Sequence, residues 1–312
     1  MMLLGSGAAS AQVALRQPAK FPIKISKPGS YRLAENLDVK GGDGIDVLTG
    51  NVTIDLNGFS IIGSSDKSSG IGINAAKMAF VKVSNGSIVN MTGAGLVLGD
   101  SGAAKGVRVN GNGADGVVCA NDCEIIDNGV TNNAFYGIFA GQNAIVSRNS
   151  ANDNRNGFGI TVGQGSSVTE NVANGNALGG IRGTNHASPC NCRIVDNTTN
   201  GNSVGIVVAD FGVITGNVAN GNGSFGICGG KSSTITGNTA SANTGQGIIG
   251  FAGSLIQGNT VMGNQSVGIQ FMDDDGTGGY GLNVLLGNLG GDVSGGHSLG
   301  AGNTNVCSGS NC

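Results

Sequence analysis

The sequence predicts an all-β solenoid, one continuous stack of coils, and three observations predict it. A short phrase recurs between Asp196 and Phe271: Asp196-Asn-Thr-Thr-Asn-Gly-Asn, Gly216-Asn-Val-Ala-Asn-Gly-Asn, Gly237-Asn-Thr-Ala-Ser-Ala-Asn and Gly258-Asn-Thr-Val-Met-Gly-Asn. Each copy is followed by a Gly-Ile pair, at Gly205-Ile206, Gly226-Ile227, Gly247-Ile248 and Gly268-Ile269, a constant step of 21 residues. The chain also carries 60 glycines against four prolines, no Trp and only 11% charged residues. A fixed period near twenty with one short apolar segment per unit is what stacked coils require.

The same numbers exclude other classes. With 39% hydrophobic residues, Val and Ile at regular places and a net charge of -3, the chain does not belong with disordered sequences. Its glycines lack the strict period of three that collagen needs. No basic stripe offers a footprint for nucleic acid. No apolar run approaches the roughly 20 residues needed to span a bilayer.

Residues 1–20 read as leader and linker. Ala9-Ser10-Ala11 has the small-x-small form of a secretory cleavage site, without the usual basic segment and full apolar segment before it. Strand-like text starts at Phe21: Ile23-Lys-Ile, a turn at Lys27-Pro28-Gly29-Ser30, then Tyr31-Arg-Leu. Pro28 fixes φ and Gly29 accepts positive φ, which makes the turn. Residues 21–50 are expected to form an N-terminal cap and first coil, since an uncovered coil exposes both core and strand edge.

The coils then follow to about residue 290. Asn51-Val-Thr-Ile-Asp-Leu-Asn57-Gly58 alternates apolar and polar residues as a half-buried strand does. Further on, the repeat glycine runs Gly95, Gly116, Gly137, Gly159, Gly180, Gly205, Gly226, Gly247 and Gly268. A step of 25 residues after Gly180 places extra length around Asn185 to Cys192. A column of Asn128, Asn149, Asn171, Asn197, Asn217, Asn238 and Asn259 is expected to form an amide ladder, because Asn tolerates tight corners and bonds to its copy one coil on. Residues 291–312 read as a Gly-rich tail, and no internal domain boundary is visible.

Seven cysteines fall as Cys119/Cys123, Cys190/Cys192, Cys228 and Cys307/Cys312. Coils advance about 4.8 Å each. Cys123 and Cys190 therefore lie beyond the roughly 7 Å Cα separation a bridge allows. Bridges within each close pair are expected, with Cys228 free, and they suit an oxidising compartment. The Cys-x-Cys pair could instead hold a metal, but no second Cys or His pair at zinc spacing accompanies it.

The 51–58 segment, the Gly-Asn-x-x-x-x-Asn phrases and the Gly-Ile pairs resemble the repeats of right-handed parallel β-helix proteins. That superfamily includes pectate lyases, polygalacturonases, alginate epimerases, phage tailspikes and many exported bacterial proteins. The resemblance covers roughly residues 23–290 and implies a single right-handed parallel β-helix of about ten coils. It says little about activity, because one fold hosts many functions. The acidic calcium ligands and spaced Arg and Lys of pectate lyases are missing. So are the Asn-Thr-Asp, Asp-Asp and Gly-His-Gly set of polygalacturonases and the Tyr-Gly-x-Asp-Pro-His segment of alginate epimerases.

Strand alternation locates the candidate chemistry. The residue after each repeat glycine is expected to point inward and the next one outward. The outward column reads Val97, Val118, Phe139, Thr161, Arg182, Val207, Cys228, Ile249 and Gln270, which is too apolar for a solvent-facing row. A contiguous apolar strip marks a groove or an interface. Phe139, Thr161, Val207 and Gln270, with Asn185 and Lys231 beside them, are the candidate ligand-binding residues. Arg182 is the one charge in the strip, and equal offsets bring His186, Asp210 and Lys231 within about 10 Å of it. An Arg to bind a carboxylate with a His or Asp to move a proton is what uronate lyase or epimerase chemistry asks for. Arg182, His186 and Asp210 are thus the candidate catalytic set, against the plainer reading of polar turn residues.

No cofactor is expected. Calcium has two short matches, Gly41-Gly-Asp-Gly-Ile-Asp46-Val-Leu48 and Asp273-x-Asp275-Gly276, and both fall short of the six to eight oxygens that ion takes. No nucleophile elbow accompanies the two histidines. Together these features point to a secreted, periplasmic or cell-surface protein that binds or scaffolds on carbohydrate, a polysaccharide or surface glycan, without catalysis. The alternatives are a polysaccharide lyase or epimerase, and a fibre or adhesin subunit forming a homo-oligomer through the apolar strip.

Overall fold

A computed structural model describes residues 12–64, 69–184, 189–272, 276–300 and 302–308. Short strands wind into a three-faced parallel solenoid, and there is no helix among the described residues. Each strand bonds to the equivalent strand one coil on. Val117, Ile138, Ile160 and Ile181 are successive partners on the first face. That face carries 13 strands, from Ile23–Ile25 to Val293–Ser294. The stack therefore has about 13 coils where the glycine column shows about ten. The extra coils sit at the ends: Gly44 and Gly72 still precede Ile45 and Ile73 but at unequal intervals, and Ile23 and Val293 follow Pro22 and Asp292 instead of a glycine.

The N-terminal strands open the stack. Val13–Leu15 pairs with Tyr31–Leu33, and Ile23–Ile25 pairs with Ile45–Val47. At the other end Val306–Cys307 pairs with Val284–Leu286.

The glycine column has a steric cause. A Cβ on Gly205 would stand 2.2 Å from the Gly226 carbonyl oxygen, and one on Gly137 would stand 2.5 Å from that of Gly159. Only glycine allows one coil to approach the next so closely. The residue after each of these glycines, from Leu96 through Ile206 to Ile269, is fully buried. Burial of each such side chain contributes about 1.5–3 kcal/mol, and their stacking forms one continuous core.

The Asn column is a buried ladder. The Asn217 side-chain oxygen accepts from the Asn197 backbone N–H at 2.9 Å and from Asn197 Nδ2 at 3.0 Å. Its Nδ2 donates to Ile194 O at 2.9 Å and to Asn238 Oδ1 at 3.0 Å. The same pattern repeats from Asn128 to Asn283. A second ladder runs parallel to it through Asn112, Asn133, Asn154, Asn176, Asn202, Asn222, Asn243, Asn264 and Asn288. Its members are the closing asparagines of the repeated phrase. Polar atoms in an otherwise apolar interior are tolerated because each amide finds partners above and below.

Cys119 bridges Cys123 across 6.3 Å between Cα atoms, and Cys190 bridges Cys192 across 4.9 Å. Cys307 is also disulfide-bonded, and Cys312 lies outside the described residues. No helix of the described residues is long and apolar enough to cross a membrane.

Candidate functional site

The outward column is continuous on the first face: Val118, Phe139, Thr161, Arg182, Val207, Cys228, Ile249 and Gln270 are partners in register. Two cavities open along it.

The first, of about 310 Å³, lies over Phe139, Thr161 and Arg182, with Asn121, Gln142 and Gln164 on its rim. Its cation is held by aromatic rings. The Arg182 guanidinium lies 5.5 Å from the Tyr136 ring centre and 4.9 Å from that of Phe158, and one terminal nitrogen donates to the Tyr136 hydroxyl at 3.3 Å. Ring faces carry negative charge density and hold a guanidinium in place without neutralising it. Glycines make the room: a Cβ on Gly179 would meet the Phe158 ring at 2.4 Å. Tyr136 in turn leans on Phe139, with 5.9 Å between ring centres. Its backbone N–H donates to Asp115 Oδ1 at 2.9 Å, and burial lifts the Asp115 carboxyl above its ordinary value against the pull of that bond.

Two polar atoms at this site have no hydrogen-bond partner among the described residues. They are Arg182 Nε and Thr161 Oγ1, both buried, and Thr161 as a whole is 4% exposed.

The second cavity, of about 320 Å³, is lined by Val207, Asp210, Cys228, Lys231 and Phe251. Asp210 Oδ1 accepts the Lys231 backbone N–H at 2.8 Å, closing a turn. Cys228 is the free thiol, and burial pushes its pKa up from 9.0 to about 12. The unfolded chain releases that proton from about pH 9 and the folded chain only near pH 12, so stability is expected to fall as pH rises through that window. A thiol-specific disulfide reagent at pH 8 is expected to leave Cys228 unmodified in the native protein and to label it once the chain is denatured.

Gln270 apart, the described members of the sequence-derived set line two cavities. Arg182, Phe139 and Thr161 share the first cavity, while Val207, Asp210 and Lys231 share the second. Gln270 accepts from Gln246 Nε2 at 2.6 Å further along the strip. Asn185, His186 and Asp273 to Asp275 lie outside the described residues. Tyr136 and Phe158 escape a reading by offset, because each stands before its repeat glycine or Ile and meets Arg182 only across coils. In the first calcium match, Asp43 is engaged by the Ile71 N–H at 2.7 Å and by Asn74 Nδ2 at 2.9 Å. Burial, then a hydrogen bond with Asp43, raises the Asp46 carboxyl.

A family profile described as periplasmic copper-binding protein (NosD) matches residues 138–290, somewhat less than half of the chain. Among solved structures, the A-module of the Azotobacter vinelandii mannuronan C-5 epimerase AlgE6 aligns over 97% of this chain and 92% of its own, at 16% identity and a TM-score of 0.60. A mutant of the periplasmic alginate epimerase AlgG aligns over 91% of this chain and 74% of its own, at 15% identity and a TM-score of 0.53. A tailspike protein of E. coli bacteriophage HK620, in complex with a pentasaccharide, aligns over 90% of this chain and 61% of its own, at 11% identity and a TM-score of 0.50. No curated protein matches the sequence significantly.

The copper in the profile's description finds no cluster of three or more His, Cys, Asp or Glu among the described residues. The four cysteines of the two described bridges are tied up in pairs. Copper sites draw on thiolate, thioether or imidazole groups gathered at one point. Similarity at these identities is similarity of fold, and in fold the chain is a right-handed parallel β-helix like those structures.

Proposed function

We propose that this is an exported protein that binds an acidic polysaccharide along the first face, with an acidic sugar residue seated over Phe139, Thr161 and Arg182. The observation that carries this reading is the state of Arg182: its charge is braced by Tyr136 and Phe158, and among the described residues no carboxylate is paired with it and its Nε–H is unmatched. A buried unmatched donor costs about 1–3 kcal/mol, which a ligand oxygen drawn into the cavity relieves. Arginine forms charge-assisted bonds with carboxylates, and the Phe139 ring offers an apolar platform beside it. The names of the epimerases and the pentasaccharide bound to the tailspike support saccharide as the ligand class on this fold. The disulfides support export, as do the periplasmic descriptions of the NosD profile and AlgG. Binding is favoured over catalysis because Asp210 lines the other cavity and its Oδ1 is engaged by the Lys231 N–H.

Calorimetric titration with oligouronates tests this. Arg182→Met keeps an unbranched stem but removes the charge, and it is expected to weaken binding at least tenfold, about 1.4 kcal/mol. Added salt is expected to weaken the wild type more than the variant. Equal affinities for wild type and variant would remove Arg182 from the site.

A further inference from the structure

The second cavity differs in chemistry from the first, and we infer that it is a separate subsite for an uncharged sugar ring of the same polymer. This inference rests on the reading of the Arg182 cavity as a saccharide site. Register places the two on one line: Arg182 pairs with Val207, and Val207 with Cys228. Two ladder steps amount to about 10 Å along the helix axis, so a single extended polymer spans both cavities.

The lining selects a neutral ring. Val207, Cys228 and Phe251 supply an apolar wall for the faces of a sugar. Asp210 supplies a carboxylate and Lys231 an ammonium, which together bring no net charge, in contrast to the lone guanidinium next door. The Asp210 carboxylate is fixed in place. Its Oδ1 takes the Lys231 N–H at 2.8 Å, and Gly230 leaves the space, since a Cβ there would stand 2.5 Å from that oxygen. A fixed carboxylate accepts bonds from sugar hydroxyls and repels a second carboxylate brought beside it. The thiol of Cys228 stays neutral and adds to the apolar wall. The ligand is thus a heteropolysaccharide in which acidic and neutral residues are interspersed, rather than a pure polyuronate.

Two probes of matched length separate the possibilities: an octasaccharide of gellan, with one glucuronate in four residues, and an oligoglucuronate. Wild type is expected to bind the gellan fragment about tenfold more tightly. Phe251→Ala is expected to weaken gellan binding about tenfold and to leave oligoglucuronate affinity unchanged. Asp210→Asn keeps an oxygen for the Lys231 N–H and removes the repulsion, so it is expected to tighten oligoglucuronate binding and narrow the preference. Thermal melts of both variants check that the stack is intact. If both variants leave every affinity unchanged while Arg182→Met abolishes binding, the second subsite falls and the Arg182 reading stands. If wild type binds neither probe, both fall together.

Discussion

Replacing Asn217 by leucine is expected to cost about 4 kcal/mol, because it strands several hydrogen-bonding groups at once in an interior that water does not reach. Asn217 is fully buried. Its oxygen is the acceptor for both the backbone N–H and the Nδ2 of Asn197. Its own Nδ2 serves Ile194 O, Thr215 O and Asn238 Oδ1. Leucine has similar bulk and none of these functions, so the ladder is cut: the buried Asn197 N–H loses its acceptor, and the Ile194 oxygen loses a donor. Each coil contacts only its neighbours, so the damage is expected to concentrate on the coils either side. Urea denaturation checks the magnitude, and hydrogen exchange at the Asn197 amide checks the location. The exposed Gln265 is the comparison: Gln265→Ala is expected to stay within about 0.5 kcal/mol of wild type. A loss as small as that for Asn217→Leu would mean the amides are bystanders to packing.

Gly205→Ala is expected to destabilise by about 3 kcal/mol, at the upper end of overpacking costs. The added methyl would stand 2.2 Å from the Gly226 oxygen, 2.9 Å from Asn222 Nδ2 and 3.1 Å from the Ala219 methyl. A backbone oxygen cannot swing aside, so the two coils must part. Gly129→Ala separates this effect from a general cost of losing glycine. A Cβ at Gly129 meets nothing within 4 Å, and alanine there is expected to be neutral or stabilising by up to about 1 kcal/mol through the unfolded chain. Equal behaviour of the two variants in thermal unfolding would contradict the steric account of the repeat.

These two positions also show why so much of the fold could be read from the text. A stack whose coils touch backbone to backbone needs glycine at one place in every turn. A buried corner needs an amide at another. Both demands recur at each coil and so become visible as a period. The period fails where the coils differ: the opening strands at Ile23, Ile45 and Ile73 follow one another at unequal intervals, so a stack of about 13 coils looks like about ten. The second ladder was within reach of the same reasoning, since Asn202, Asn222, Asn243 and Asn264 close the repeated phrases.

The candidate site was legible only in part. Strand alternation places Phe139, Thr161 and Arg182 side by side, because a register is a property of the backbone. What Arg182 then does depends on the reach of a long side chain across two coils to Tyr136, 46 residues earlier, and no periodic signal encodes that. Equal offsets also do not say which cavity a side chain lines. Asp210 sits beyond the strand end, where it closes the turn on Lys231 and lines a cavity of its own.

The central claim is that the first face, at Arg182, is where an acidic saccharide binds. The most direct measurement is a crystal structure of the protein with a bound acidic oligosaccharide. The expected result is a sugar carboxylate within hydrogen-bonding distance of the Arg182 guanidinium, with a sugar ring against Phe139. A saccharide on either of the other two faces, or one on this face whose carboxylates all point away from Arg182, would contradict it.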